Sequence, residues 1–213
     1  MCKIGRYDTK STDSINCFFN NMNTVEPIRN PQKLIAIKRN LKKLDDPRDY
    51  LLFTLGVNLA LRISDLLDLN VGDFIDSKGK VVSYISLREN KTNKELRIKL
   101  NEASTEALKY YFSKRRPIDP DRPLFASHRT GKRLDRTQAW RLIRKWCAEV
   151  DLDREKYGTH SLRKTFGYIA RVYEHVPIEK IQATLGHSNT EITKRYIGIS
   201  ADEITDVRMK VNI

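Results

Sequence analysis

The apolar residues of this chain keep a helical rhythm along most of its length and break it once. That single break fixes the class of fold. From Pro31 onward, Leu34, Ile37, Leu41 and Leu44 recur at steps of three and four, which puts them on one face of a helix. Asp46-Pro47 then offers an N-cap followed by a first-turn proline, and Leu51, Leu52, Leu55 and Leu59 carry the helix behind it. A short helix holds Ile63 to Leu69. Between Lys80 and Leu100 the period falls to two. Val81, Ile85 and Leu87 alternate with polar neighbours, as do Leu96, Ile98 and Leu100, around the polar turn Glu89-Asn90-Lys91-Thr92-Asn93-Lys94. That pattern is a β-hairpin. Helices resume from Glu102 to Lys114, from Thr137 to Val150 behind a cap at Asp135, and from Thr159 to Tyr173 with Leu162, Phe166, Ile169 and Tyr173 on one face. Pro177 opens another that stops at Gly186, and Ser188 or Asn189 caps a last one through Ile192 and Tyr196 to Ile197. The expected fold is mainly α with a small antiparallel β-sheet, an α+β domain.

The expected organisation is an N-terminal arm over 1–26, a domain over 27–199 and a C-terminal tail over 200–213. The arm is polar, and Ile15, Phe18 and Phe19 could dock but cannot form a core. In the tail, Ile204, Val207 and Val211 stand at helical steps, which suits docking on a neighbouring copy as well as packing in cis. The 213 residues carry 40 Lys+Arg against 27 Asp+Glu, a net charge of +13. Such a surplus points to a polyanionic partner, with nucleic acid ahead of an anionic membrane surface. The longest apolar stretch, Tyr50 to Leu61, is too short to span a bilayer and contains Asn58. No secretory signal is visible, and Cys2, Cys17 and Cys147 have no metal-ligand or disulfide spacing. The expected setting is the cytoplasm, on the nucleoid, in a prokaryote or a mobile element.

Four stretches could carry chemistry: Ala60-Leu61-Arg62-Ile63-Ser64-Asp65-Leu66, the hairpin turn with Lys91, His160-Ser161-Leu162-Arg163, and Leu185-Gly186-His187 with Tyr196 nine residues on. His160 and Arg163 share the first turn of a helix, where backbone N–H groups and the dipole favour an anion. Each feature alone has an ordinary explanation. A histidine at a helix start usually packs or caps, a tyrosine on an amphipathic helix is usually half-buried, an arginine beside an apolar run usually makes a surface ion pair, and a turn lysine is usually solvated.

Together, in this order and spacing, they resemble the tyrosine recombinase, or phage integrase, family over residues 30–200. Ala-Leu-Arg62-Ile-Ser-Asp-Leu is similar to its G-L-R-[IV]-[ST]-E-L segment, with Ala60 for the usual Gly and Asp65 for the commoner Glu. Asn-Lys91-Thr-Asn-Lys is similar to its hairpin lysine turn. His160-Ser-Leu-Arg163 matches its H-x-L-R box, and Leu185-Gly-His187 with Arg195-Tyr196 completes the set. The resemblance implies the tyrosine recombinase catalytic fold and DNA strand cleavage and rejoining without metal or other cofactor. Tyr196 would be the nucleophile, Arg62 and Arg163 the forked donors to the scissile phosphate, and His160 the base. His187 would hydrogen-bond the phosphate and Asp65 would support a histidine or Arg62. Lys91 would be the general acid, with Lys94 its competitor or a DNA contact.

Double-stranded DNA is then the expected partner, gripped by a homotetramer that is a monomer without DNA. Lys132, Arg133, Arg136, Arg141 and Arg144 are the expected phosphate contacts, alongside Arg129 and Lys145; pairing with Asp135 and Glu149 is the alternative for several of them. Family members carry a core-binding domain of about a hundred residues before this pattern. Here 26 residues precede it, so a fragment and a compact member are both expected readings. A type IB topoisomerase-like or telomere-resolving enzyme and a catalytically silent DNA-binding module are the rival functions.

Overall fold

The structure is a computed structural model that describes residues 25–115 and 117–199. The expected arm with Ile15, Phe18 and Phe19 lies almost wholly outside the described residues. The tail with Ile204, Val207 and Val211 lies wholly outside them.

Helix α1 (Pro31–Lys43) starts where Asn30 accepts the Gln32 N–H at 2.8 Å. It ends before Leu44, which is exposed rather than part of the apolar stripe. Helix α2 (Pro47–Asn58) begins behind Asp46, whose carboxylate accepts the Asp49 N–H at 3.2 Å. The short α3 (Ile63–Leu67) follows. Strands β1 (Tyr84–Arg88) and β2 (Glu95–Lys99) pair antiparallel with Ile85 opposite Ile98 and Leu87 opposite Leu96. The alternating apolar positions therefore face one another on one side of the hairpin. Helix α4 (Glu102–Lys114) is capped by Asn101. Helix α5 (Arg136–Ala148) opens with a reciprocal cap between Asp135 and Gln138. Then come α6 (Thr159–Val172), α7 (Ile178–Leu185) and α8 (Thr190–Ile197).

The large core gathers Phe53, Phe74, Phe125, Trp146 and the buried leucines of α2 and α3. Phe53 meets Trp146 edge-on, with ring centroids 5.9 Å apart. A second, smaller core joins Ala60, Ile181, Leu185 and Ile197, with Tyr196 packed against it. Helix α6 lies between the two. This corrects the expected single apolar face: Tyr173 is exposed, while Ser161, Leu162, Arg163, Thr165, Gly167 and Tyr168 are all buried. Leu162 belongs to the large core, and Gly167 lies under the small one.

That closeness needs a glycine. A Cβ at Gly167 would sit 2.5 Å from Ile197 Cγ2, so any larger residue pushes α8 away from α6. Gly167→Ala is expected to cost about 1–3 kcal/mol, the usual range for an overpacked contact. Urea unfolding measures it; an unchanged midpoint would mean that α8 is not seated on α6 as described.

Candidate active site

The first arginine is placed by an unusual backbone. Ala60 has φ +55, in the left-handed region where an L-residue other than Gly, Asn or Asp is rare. The turn there lets Arg62 serve as the N-cap residue of α3 with its side chain 16% exposed. Arg62 Nη1 donates to Glu89 Oε1 and lies 3.9 Å from Asp65 Oδ2. Its Nε and Nη2 have no protein partner among the described residues, so one edge of the guanidinium is held and the other is open.

Arg163 comes from the first turn of α6 and is 5% exposed. Its Nε donates to the Ala60 carbonyl at 2.6 Å and its Nη2 to the Leu185 carbonyl at 2.9 Å. The Nε–Nη2 edge is therefore committed to the backbone, and the Nη1 end remains. Burial pulls its pKa down, and the Tyr196 phenol is the strongest influence in the other direction.

Leu185 ends α7, and Gly186 follows at φ +59, turning the chain back so that His187 returns to the site. Thr193 Oγ1 lies 3.1 Å from His187 Nδ1 and donates to the Asn189 carbonyl at 3.2 Å. A hydroxyl has one proton to give, so Nδ1 is the donor to Thr193 and Nε2 is the nitrogen left for chemistry. The His187 ring meets the Tyr196 ring edge-on at 4.8 Å.

Tyr196 Oη is buried without a well-formed hydrogen bond among the described residues, although the Arg163 guanidinium is near enough to act on it as a donor. Burial raises its pKa, while Arg163 and then Arg62 favour the phenolate. Lys164 holds its ammonium over the Tyr196 ring, 5.1 Å from the centroid. His160, one turn from Lys164, is exposed. The bulk of the protein around it lowers its pKa, followed by Arg136, Arg163, Lys164 and Arg62. His187 is lowered by desolvation and then by Arg163 and Arg62. Arg62, His160, Arg163, His187 and Tyr196 thus act on one another across a single site. Asp65 is buried beside Arg62, and its Oδ1 accepts the Asn90 N–H at 3.0 Å.

Lys91 and Lys94 stand exposed on the hairpin tip without side-chain partners among the described residues, and nothing there separates their roles. The expected DNA contacts divide. Lys132, Arg136 and Arg141 are exposed and unpaired among the described residues. Arg133 instead donates to the Leu67 and Leu69 carbonyls and to Asn70 Oδ1, tying off the end of α3. Arg144 pairs with Glu155 and stacks on Trp140 at 4.3 Å. Both guanidiniums are committed within the protein, because carbonyls and a carboxylate compete for the same donors that a phosphate would need. Lys145 lies 3.8 Å from Glu149. A groove of about 600 Å³ beside α5 is lined by Trp140, Arg141, Arg144, Lys145 and Arg154.

Three residues at the site are not marked by any motif: Glu89, Lys164 and Thr193. Glu89 has a signal in retrospect, because it continues the Ile85-Leu87 alternation onto the buried face. For a metal, Asp46, Asp49 and His128 bring three ligand atoms within 4.8 Å of one another. Arg48 already holds Asp49 through Nε and Nη2, and Asp46 caps α2. The group is a charge network that fixes the start of a helix. Among the described residues no helix is long and apolar enough to cross a membrane.

Residues 29–203 match the profile of the Phage integrase family. The probable integrase/recombinase YoeC of Bacillus subtilis is 40% identical over 182 residues, covering 85% of this chain and 93% of YoeC. Tyrosine recombinase XerC of Caldanaerobacter subterraneus subsp. tengcongensis is 33% identical over 79% of this chain but only 47% of its own length. This chain therefore spans about half of the XerC relatives. By fold it is similar to the XerA recombinase, with a TM-score of 0.68 at 22% identity over 87% of this chain and 64% of that one. XerH bound to palindromic difH substrate in a post-cleavage complex gives 0.65 at 22% identity, over 88% and 53%.

Two measurements test the geometry. Ala60→Gly is expected to stay within about 1 kcal/mol of the parent, as relieved backbone strain offsets a lost methyl, while Ala60→Val costs more than about 2 kcal/mol. Equal stability of the two variants would contradict the left-handed turn. In an NMR titration both His160 and His187 should protonate below the ordinary value of 6.5. Arg136→Gln should move His160 up and leave His187 in place; a shift of His187 alone would contradict the placement of Arg136.

Proposed function

Because the chain belongs to the phage integrase family, we propose that it breaks and rejoins DNA strands through a 3′-phosphotyrosyl link at Tyr196. The observation that carries this reading is the phenol itself. Its buried oxygen lies against Arg163 without a well-formed hydrogen bond, and Arg163 and Arg62 both favour its ionised form. A phosphodiester set between those cations would face the oxygen.

The Tyr196 oxygen attacks phosphorus, its proton passes to the His160 imidazole, and the bond to the 5′-oxygen breaks. Lys91 gives the departing oxygen its proton. One phosphodiester is replaced by another, so the bond energy is kept and the reverse attack by a 5′-hydroxyl reseals a strand. Two non-bridging oxygens gain charge as phosphorus becomes five-coordinate. The open edge of Arg62 and the Nη1 end of Arg163 suit them, and His187 Nε2 adds a third donor only when a bound phosphate offsets the lowered pKa of that ring and protonates it. Low histidine pKa values keep His160 neutral and able to accept a proton at neutral pH.

Exchange between two duplexes needs four cleavages. One tyrosine per chain makes a homotetramer on DNA the assembly that supplies them. Lys132, Arg136 and Arg141 would grip backbone phosphates. XerH and the Tn1549 transposon integrase, both similar in fold, are known in complex with DNA, which supports duplex DNA as the partner here.

Nicked suicide duplexes tiled across the DNA flanking the gene test the reaction. The parent chain should form a covalent adduct and Tyr196→Phe none; absence of any adduct on the whole set would leave only a DNA-binding role. Resolution of synthetic four-way junctions would separate recombination from relaxation. Arg141→Gln should weaken binding and reduce its salt slope by about one, with cleavage at saturating protein preserved. Loss of cleavage in Arg141→Gln at saturation would contradict its assignment to grip alone.

A further inference from the structure

The hairpin tip is fastened to α3 through Glu89 and Asn90, which the mechanism above does not use. Glu89 is 7% exposed at the end of β1. One of its carboxylate oxygens accepts from Arg62 Nη1 and the other from Thr92 Oγ1 within the turn. Asn90 adds two links, its N–H to Asp65 Oδ1 at 3.0 Å and its side-chain amide to Asp68 Oδ2 at 2.6 Å. The turn is closed on itself by Glu89 N–H to the Lys94 carbonyl and Asn93 N–H to the Glu89 carbonyl, both at 2.9 Å. Lys91 thus stands between two residues, Asn90 and Thr92, that are each tied down.

We propose that Glu89 is the positioning residue of this site: it bridges Arg62 to the Thr92 hydroxyl and thereby sets where Lys91 stands relative to the phosphate held by Arg62. A partner on each oxygen offsets the cost of burying this carboxylate, so the bridge resists slack. It also consumes the Nη1 end of Arg62 and turns the Nε–Nη2 edge toward the substrate. Proton delivery to a leaving oxygen tolerates little misplacement, and a lysine on an untethered tip would sample many positions. The proposal rests on the strand-cleavage reading above.

The test compares the parent, Glu89→Ala and Glu89→Gln on the suicide duplexes, with either oxygen or sulfur at the 5′-bridging position. A thiolate leaves without needing a proton, so sulfur removes the demand on Lys91 while keeping the demand on Arg62. Glu89→Ala should slow adduct formation on the oxygen substrate by roughly ten- to a hundredfold, and sulfur should restore most of the rate. Glu89→Gln, which can still span both partners, should lie between. Equal slowing on both substrates, or no slowing, would overturn the proposal. Amide exchange at Asn90 and Asn93, measured without DNA, tests the tether independently of cleavage. It should quicken in Glu89→Ala, and unchanged exchange would overturn the proposal even if the parent chain formed no adduct. A parent without adducts but with the expected exchange would instead overturn the strand-cleavage reading.

Discussion

The site hangs on one buried guanidinium. Arg163 reaches out of α6 and takes the Ala60 carbonyl with Nε and the Leu185 carbonyl with Nη2. Ala60 and Leu185 both belong to the small core, while α6 also places Leu162 in the large one. The arginine therefore ties α6 to two backbone segments of the small core before it is a ligand for anything. Burying a cation is costly, and here the two carbonyls offset part of that cost. The same bonds hold the remaining N–H groups in place, so a phosphate would meet a donor set that need not reorganise.

Other parts of the site give up stability in the same region. Ala60 adopts a left-handed backbone without being glycine, and Tyr196 buries a hydroxyl without a well-formed hydrogen bond. Local strain of this kind suits a fold shaped for a ligand rather than for itself. The small core compensates through close packing, with Gly167 admitting Ile197 and Leu185 against α6.

Much of this was legible because short-range rules govern it. Asp46-Pro47, Asn189 and Gly186 act on their own neighbours in sequence, so the helix boundaries they mark need no tertiary knowledge. The alternation of Ile85 and Leu87 against Leu96 and Ile98 fixed the hairpin register in the same way. Charge was harder to read. A net surplus of +13 does not reveal which guanidiniums face water. Arg133 found the carbonyls at the end of α3, and Arg144 found Glu155 and Trp140. Those partners are brought in by the fold, and no local pattern around the arginines announces them. Glu89 was hidden for the opposite reason: composition marks it as turn, while strand parity turns it inward.

The site depends on the bracing role of Arg163, and urea unfolding of two variants tests it most directly. Tyr196→Phe removes a hydroxyl without a well-formed hydrogen bond and should leave stability within about 1 kcal/mol of the parent. Arg163→Lys strips partners from two buried carbonyls and should lower stability by about 2–4 kcal/mol. If Arg163→Lys unfolds at the same urea concentration as the parent, the arginine is not the brace described, and the site must be held together by something else.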